Sequence, residues 1–240
     1  MAQTTVFSFF HYSSTSAKWR AFKRMGRPPL LHKQIEGLSF WKTLGVGGNK
    51  GFSFKPDFSL YALLTVFDSE INAMSFIKGK IMQQYVNDTD QHNHFFLHNI
   101  TSHGRWSNTE PFQSSIKLIT DQPICVITRA TIKPSQTLRF WKYVPRVSRS
   151  IQNYQGRLFS KGVGEWPLFM QATFSVWNTI DDMKKYAYQN DEHLEMIRKT
   201  QKLGWYKEEL FARFHPILQI GNLIHIPGIE IKDLETDNKS

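Results

Sequence analysis

The sequence predicts an α+β fold: two tandem βαββαβ halves whose sheets pack into a barrel-like pseudo-dimer. Three observations predict it. The stretch YALLTVFDSEINAMSFIKG (61–79) lies over QATFSVWNTIDDMKKYAYQ (171–189), with Ala62 on Ala172, Val66 on Val176, and exchanges Phe67/Trp177, Asp68/Asn178, Ser69/Thr179 and Phe76/Tyr186. A glycine-rich element recurs upstream of each copy, as GVGGNKGF (45–52) and GVGEWP (162–167). Alternating, strand-like segments open each half at Thr4 to Tyr12 and Pro123 to Ile132, and close each half at His94 to His103 and Glu209 to Leu218.

Each element has a local reason. The opening strands lead into basic-aromatic stretches of helical pattern, Ser16 to Met25 in the first half. In the matched copies an alternating strand ends in Asp68-Ser69 or Asn178-Thr179. These side chains accept a bond from a free amide in the first helical turn, so a helix follows. Next comes HLEMIRKTQKLGWYKEELFARF (193–214), a helix capped by Asn190 or Asp191 that stops at Gly204 and gives way to the closing strand. Strand, helix, strand, strand, helix, strand is the ferredoxin-like arrangement, an antiparallel sheet with helices on one face. The halves are set at residues 1–115 and 116–231, with Pro111 to Gln122 as junction and 232–240 as a polar tail.

Composition bounds the function. Of 240 residues, 40% are hydrophobic and 14% aromatic, enough for a substantial core. Cys125 is the single cysteine, so no intrachain disulfide forms. With no secretory pattern at the start, a reducing, cytoplasmic setting is expected. The longest apolar runs are about a strand long, short of the roughly 20 residues that span a bilayer. Thirty Lys and Arg against 20 Asp and Glu give a formal charge of +10, which favours anionic partners. Lys18, Arg20, Lys23, Arg24 and Arg27 concentrate it beside Trp19, Phe22 and Met25, a pattern that suits an anionic membrane surface as well as an ordinary solvated helix. No zinc-finger spacing or aromatic RNA-binding signature is present, so nucleic acid is not an expected partner.

Candidate chemistry gathers in few places. His193 shares a helical face with Met196, Ile197 and Thr200. An imidazole there packs, hydrogen-bonds or holds a metal, and alone it is more often a satisfied core residue. Arg213 shares a strand face with Phe211 and His215, alternating against Leu210, Ala212 and Phe214, and suits an anion or an ion pair equally. His92, His94 and His98 share strand parity, but at roughly 3.3 Å per residue only His92 and His94 sit near enough for one ion. The glycine elements lack phosphate-loop spacing and no Gly-x-Ser-x-Gly occurs, so nucleotide binding and serine hydrolysis are poorly supported. The rings of Phe140, Trp141, Tyr143, Trp166, Phe169, Phe174, Trp177, Trp205 and Tyr206 either line a cavity for an apolar ligand or simply pack.

Several motifs together resemble a known family. Gly162-Val163-Gly164-Glu165 with Pro167, Gln171 to Trp177, and Gly204-Trp205-Tyr206-Lys207-Glu208-Glu209-Leu210-Phe211-Ala212-Arg213-Phe214 resemble the spheroidene monooxygenase family. Phe40-Trp41-Lys42, Gly104-Arg105-Trp106, Glu110-Pro111-Phe112, Thr128 to Thr131 and Arg139-Phe140-Trp141 extend the likeness over most of the chain. The resemblance implies a haem b oxygenase of the dimeric α/β-barrel type that adds oxygen at the 2 position of acyclic carotenoids. It implies His193 as the iron's ligand, with Arg139, Arg129, Trp205 and Arg213 as cofactor contacts. It further implies O2 and an electron donor as co-substrates, a redox partner, an apolar substrate delivered from a membrane or carrier, and association of chains. Haem chemistry of another kind on the same fold, such as a dehydratase or peroxidase, or a non-enzymatic haem module, is the alternative.

Overall fold

The computed structural model describes residues 2–25, 34–48, 55–152, 154–166 and 170–232; within these, the side chains of 145–150, 152, 166, 191–193, 196, 197 and 201 are outside the description. The first half runs β1 (Thr4–His11), α1 (Thr15–Met25), β2 (Leu38–Gly47), β3 (Pro56–Phe67), α2 (Glu70–Lys78), α3 (Lys80–Val86) and β4 (Gln91–Gly104). The second runs β5 (Ile124–Ile132), α4 (Thr137–Gln152), β6 (Arg157–Trp166), β7 (Met170–Trp177), α5 (Ile180–Gln189), α6 (Asp191–Leu203) and β8 (Tyr206–Gly221), with a short β9 (Ile231–Lys232) beyond. The polar pairs cap as their chemistry requires. Ser69 accepts the amide of Asn72 and Thr179 that of Asp182. The second helix of each half is split, at Gly79 and at Asn190.

Strand order is β4-β1-β3-β2 in the first half and β8-β5-β7-β6 in the second. Pairing of β2 with β6 and of β4 with β8 closes eight antiparallel strands into a barrel, and closure leaves no bare edge among them. The two glycine elements meet here. Gly45 faces Gly164 and Val46 faces Val163. A Cβ on Gly164 would lie 2.6 Å from the Met170 carbonyl oxygen, so only glycine fits the seam. The registers correspond at the centre of the two halves: Phe7 faces Leu64 and Phe95, as Ile127 faces Phe174 and Ala212.

The barrel interior is solid. Phe7, Phe9, Leu64, Phe95, Ile127, Phe174 and Phe214 are fully buried there, with Phe7 stacked on Phe174 at 4.4 Å. At one end the chain after β8 folds back, seating Leu223, Ile224, Ile226 and Ile229 on the core. Buried Gln219 receives the Ile226 amide and donates to the Ile224 carbonyl. Phe112, in the junction, packs edge-on to Phe214 at 5.0 Å. Of the rings that sequence alone left as cavity lining or packing, Phe174 belongs to this core. Phe140, Tyr143, Trp205 and Tyr206 form a knot beneath α4, and Trp177 packs with Tyr154 and Tyr186 near α5. Phe169 and the side chain of Trp166 lie outside the described residues.

Charge closes the opposite end. Arg129 points inward in step with Cys125 and Ile127; its side chain is 2% exposed and pairs with Glu208 and, at 3.9 Å, with Glu165. Lys42 donates to Glu165 at 2.6 Å and to the Ser107 hydroxyl at 2.7 Å, and the Trp106 indole donates to Glu165 at 2.6 Å. Glu208 accepts the amides of Ser107 and Asn108, both held at positive φ. Residues of both halves therefore share one ionic seal.

His94 belongs to the outer face of the first half. It is fully buried, its Nδ1 is 2.8 Å from the Ser8 hydroxyl, and its ring centroid is 5.1 Å from that of His92. Burial, reinforced by His92, pushes its pKa down to about 3. The unfolded chain thus takes up a proton near pH 6.5 that the folded chain refuses, and stability falls as pH drops below that value. At pH 5 the expected loss is about 2 kcal/mol relative to pH 7. Urea melts at the two pH values check this, and the difference should shrink in His94→Gln. Among the described residues, no cluster of three His, Cys, Asp or Glu groups is placed to hold a metal ion.

Candidate active site

With the barrel interior filled, the outward faces of the sheet are the surfaces to compare, and corresponding registers pair their positions. In the first half the outward positions are apolar and covered. Across one level of the sheet, Leu63, Ser8 and His94 stand side by side, each at most 1% exposed. At the next level Tyr61 and Phe10 are buried. Helices α1 to α3 seal this face with Ala17, Ala21, Phe76, Ile77, Met82 and Tyr85.

The second half differs at those same positions. Gly162, Thr173, Thr128 and Phe211 occupy the first level, followed by Gly164, Gln171, Ala130 and Glu209. Thr128 is exposed although it sits in the middle of a barrel strand, and Thr173, Gln171 and Ala130 are only partly covered. The result is a strip around Thr128 and Thr173 that is more open than its counterpart in the first half. Its other end is sealed by Ser160, Ser175 and Val126, all buried.

Of the helices on this side, α4 and α5 touch the sheet and α6 does so least. Helix α6 packs chiefly on α4 and α5 rather than on a strand. Lys199 reaches the Tyr143 hydroxyl on α4 at 2.9 Å and Glu195 on its own helix at 2.5 Å. His193 lies in the first turn of α6, and its side chain lies outside the described residues. Gly204, at φ +55°, ends the helix where its sequence position predicts.

The other expected contacts divide. Arg213 lies on the outward face of β8, opposite Val126 and so next to the strip, with its guanidinium 5.0 Å from the Phe211 ring and a buried, unpartnered Nε. Trp205 is fully buried against Tyr143 and Phe140, and its indole N–H also lacks a partner among the described residues. Burial raises the pKa of neighbouring Tyr206. Arg139 is exposed near the start of α4. Arg129 is not brought into this group, because it faces the barrel interior. Among the described residues, the unpartnered donors at Arg213 and Trp205 and the glycine and threonine of the strip suit a flat, anionic ring in their chemistry.

Sequence reasoning passed over the strip itself, Thr128, Thr173, Gln171 and Ala130. The signal was present: between the aligned repeats, Tyr61 becomes Gln171 and Leu63 becomes Thr173. A duplicated strand that turns polar on one face in one copy has lost its cover there.

No family model matches the chain. It is 31% identical over 235 residues to the spheroidene monooxygenase of Rhodobacter capsulatus, covering 96% of this chain and 97% of that protein. The chain belongs to the spheroidene monooxygenase family. The spheroidene monooxygenase of Cereibacter sphaeroides is 31% identical over 222 residues, covering 91% of this chain and 68% of that one. That of Rubrivivax gelatinosus is 30% identical over 182 residues. Membership makes this spheroidene monooxygenase relative an oxidoreductase of the monooxygenase class.

Among solved structures, an aldoxime dehydratase matches with a TM-score of 0.60 at 9% identity, over 90% of this chain and 82% of that one. A second, in complex with butyraldoxime, matches with a TM-score of 0.61 at 7% identity. At such identity the likeness shows the barrel fold alone.

Proposed function

We propose that the chain is a haem b-dependent monooxygenase that adds oxygen at the 2 position of an acyclic carotenoid, with the haem seated over the Thr128 strip. The substrate class is supported by the names of the relatives. One observation carries the location: the second half leaves open the sheet surface that the first half buries beneath its helices. The barrel is read as two tandem ferredoxin-like repeats, residues 1–115 and 116–231, and the second repeat holds the site.

Each residue then has a role. His193 is assigned as the iron ligand, one helical heptad from Thr200, whose hydroxyl is buried. Arg213 and Arg139 are assigned to the propionates, as cations suited to carboxylates, and the Trp205 indole as a further donor at the cofactor's edge. Arg129 is assigned to the barrel mouth, where carboxylates already match its charge. Thr128 and Thr173, with small side chains that are exposed and partly covered, admit a planar ring close to the sheet. Haem, when bound, supplies O2 activation with electrons from an external redox partner. The dehydratase alternative has only the fold likeness behind it.

The purified chain, loaded with haem, is expected to show a Soret band that His193→Ala shifts or abolishes. With a reductase and an acyclic carotenoid it should yield a hydroxyl or ketone product. An unchanged spectrum in His193→Ala would remove the ligand assignment. Haem loading with no oxygenated product would remove the carotenoid assignment.

A further inference from the structure

Helix α1 is built inside out. It buries only Ala17 and Ala21 against the sheet and turns Trp19 and Phe22 to solvent, 57% and 48% exposed. Its counterpart α4 buries the larger Phe140 and Val144. The exposed rings are organised. Trp19 stacks on Phe22 at 5.8 Å and 17°. Phe22 meets Phe58, from the start of β3 and 55% exposed, at 6.1 Å. Three large rings from two distant segments thus form one apolar patch, which soluble surfaces rarely leave uncovered.

Charge identifies what covers it. The α1 sequence TSAKWRAFKRM holds four cations and no acid. Arg20 and Arg24 are both bound to Asp88 at 2.8 Å. Lys18 and Lys23 make no ion pair among the described residues, and Lys23 lies 5.2 Å from the centre of the Trp19 ring. Unspent ammonium groups bordering a tryptophan-phenylalanine patch match an anionic bilayer surface, with rings at the acyl boundary and lysines among the headgroups. Among the described residues, no helix is long and apolar enough to cross a membrane, so contact through this patch is peripheral.

We propose that the Trp19–Phe22–Phe58 patch, with Lys18 and Lys23, docks the protein on anionic lipid bilayers. The proposal rests on the carotenoid reading only for its purpose, since an insoluble polyene is met at a membrane. Binding itself is read without substrate or haem.

The test is co-sedimentation of the full chain with vesicles of phosphatidylcholine, alone or mixed with phosphatidylglycerol. Wild type should pellet with the mixed vesicles. Trp19→Ser/Phe22→Ser/Phe58→Ser should lower partitioning at least about tenfold while its thermal melt stays unchanged, because these side chains support no core. Lys18→Glu/Lys23→Glu should erase the preference for anionic lipid. A fluorophore on Trp19→Cys should shift to the blue on binding, buried Cys125 offering no competing thiol. Wild type that stays in the supernatant, or a triple variant that pellets like wild type, overturns the proposal. So does a dimer that the triple variant splits without any vesicle binding, since the patch would then be a protein interface. Failure to oxidise a detergent-dispersed carotenoid counts against the substrate reading and leaves the vesicle result intact.

Discussion

Under the proposed haem site, Thr128→Trp is expected to cut haem affinity by about ten- to a hundredfold while leaving the fold intact. The side chain is exposed on the outward face of β5, so an indole there has solvent to extend into. A planar ligand laid on the strip meets it directly. Overlap of this kind costs about 1–3 kcal/mol in packed surroundings, and each 1.4 kcal/mol is tenfold in affinity. The counterpart Ser8→Trp should do the reverse. Ser8 is 1% exposed beneath the helices of the first half, so the same ring should lower stability and leave haem binding unchanged in the fraction that folds. Haem titration and thermal melts on both variants check the pair. Wild-type haem affinity in Thr128→Trp would remove the strip from the site.

Arg129→Met is expected to destabilise the fold by roughly 3–5 kcal/mol, the usual cost of stripping one partner from a buried ion pair. Glu208 and Glu165, each with side chains 17% exposed, would face each other across the barrel mouth without their guanidinium. Lys42 remains for Glu165 but not for Glu208. Adding Glu208→Gln should cost less than the sum of the single changes, because the stranded charge is gone. Urea denaturation of the three variants reads this, and a change within about 0.5 kcal/mol for Arg129→Met would show the pair to be unimportant. Acid should probe the same seal. Burial acts to raise the Glu208 pKa, but the amides of Asn108 and Ser107 together with Arg129 bring it below the usual value. Its stabilisation is therefore full above the ordinary glutamate range and is lost as pH falls through the lower folded value. Glu208→Gln should flatten that part of the pH profile.

The strand and helix types and their order were legible because they rest on local chemistry. Ser69 and Thr179 cap because a short hydroxyl sits one residue ahead of each helix. The strands alternate because one face of each meets the barrel core. His193 near the start of α6 and Gly204 at its end were legible for the same reason. The extra break at Gly79 was not, since a glycine inside a helical pattern marks a break only weakly.

What the sequence by itself determined was a doubled alternation of strands and caps, together with its likeness to spheroidene monooxygenases. Only the tertiary structure decided which side of each strand is covered. Arg129 and Thr128 are neighbours in the chain, yet β-pleating sends one into a sealed ionic mouth and the other onto an open face. Gly45 meets Gly164 only because the barrel closes, and Phe22 meets Phe58 only because α1 packs on β3. Period and propensity act over a few residues, whereas burial depends on elements brought together from across the chain.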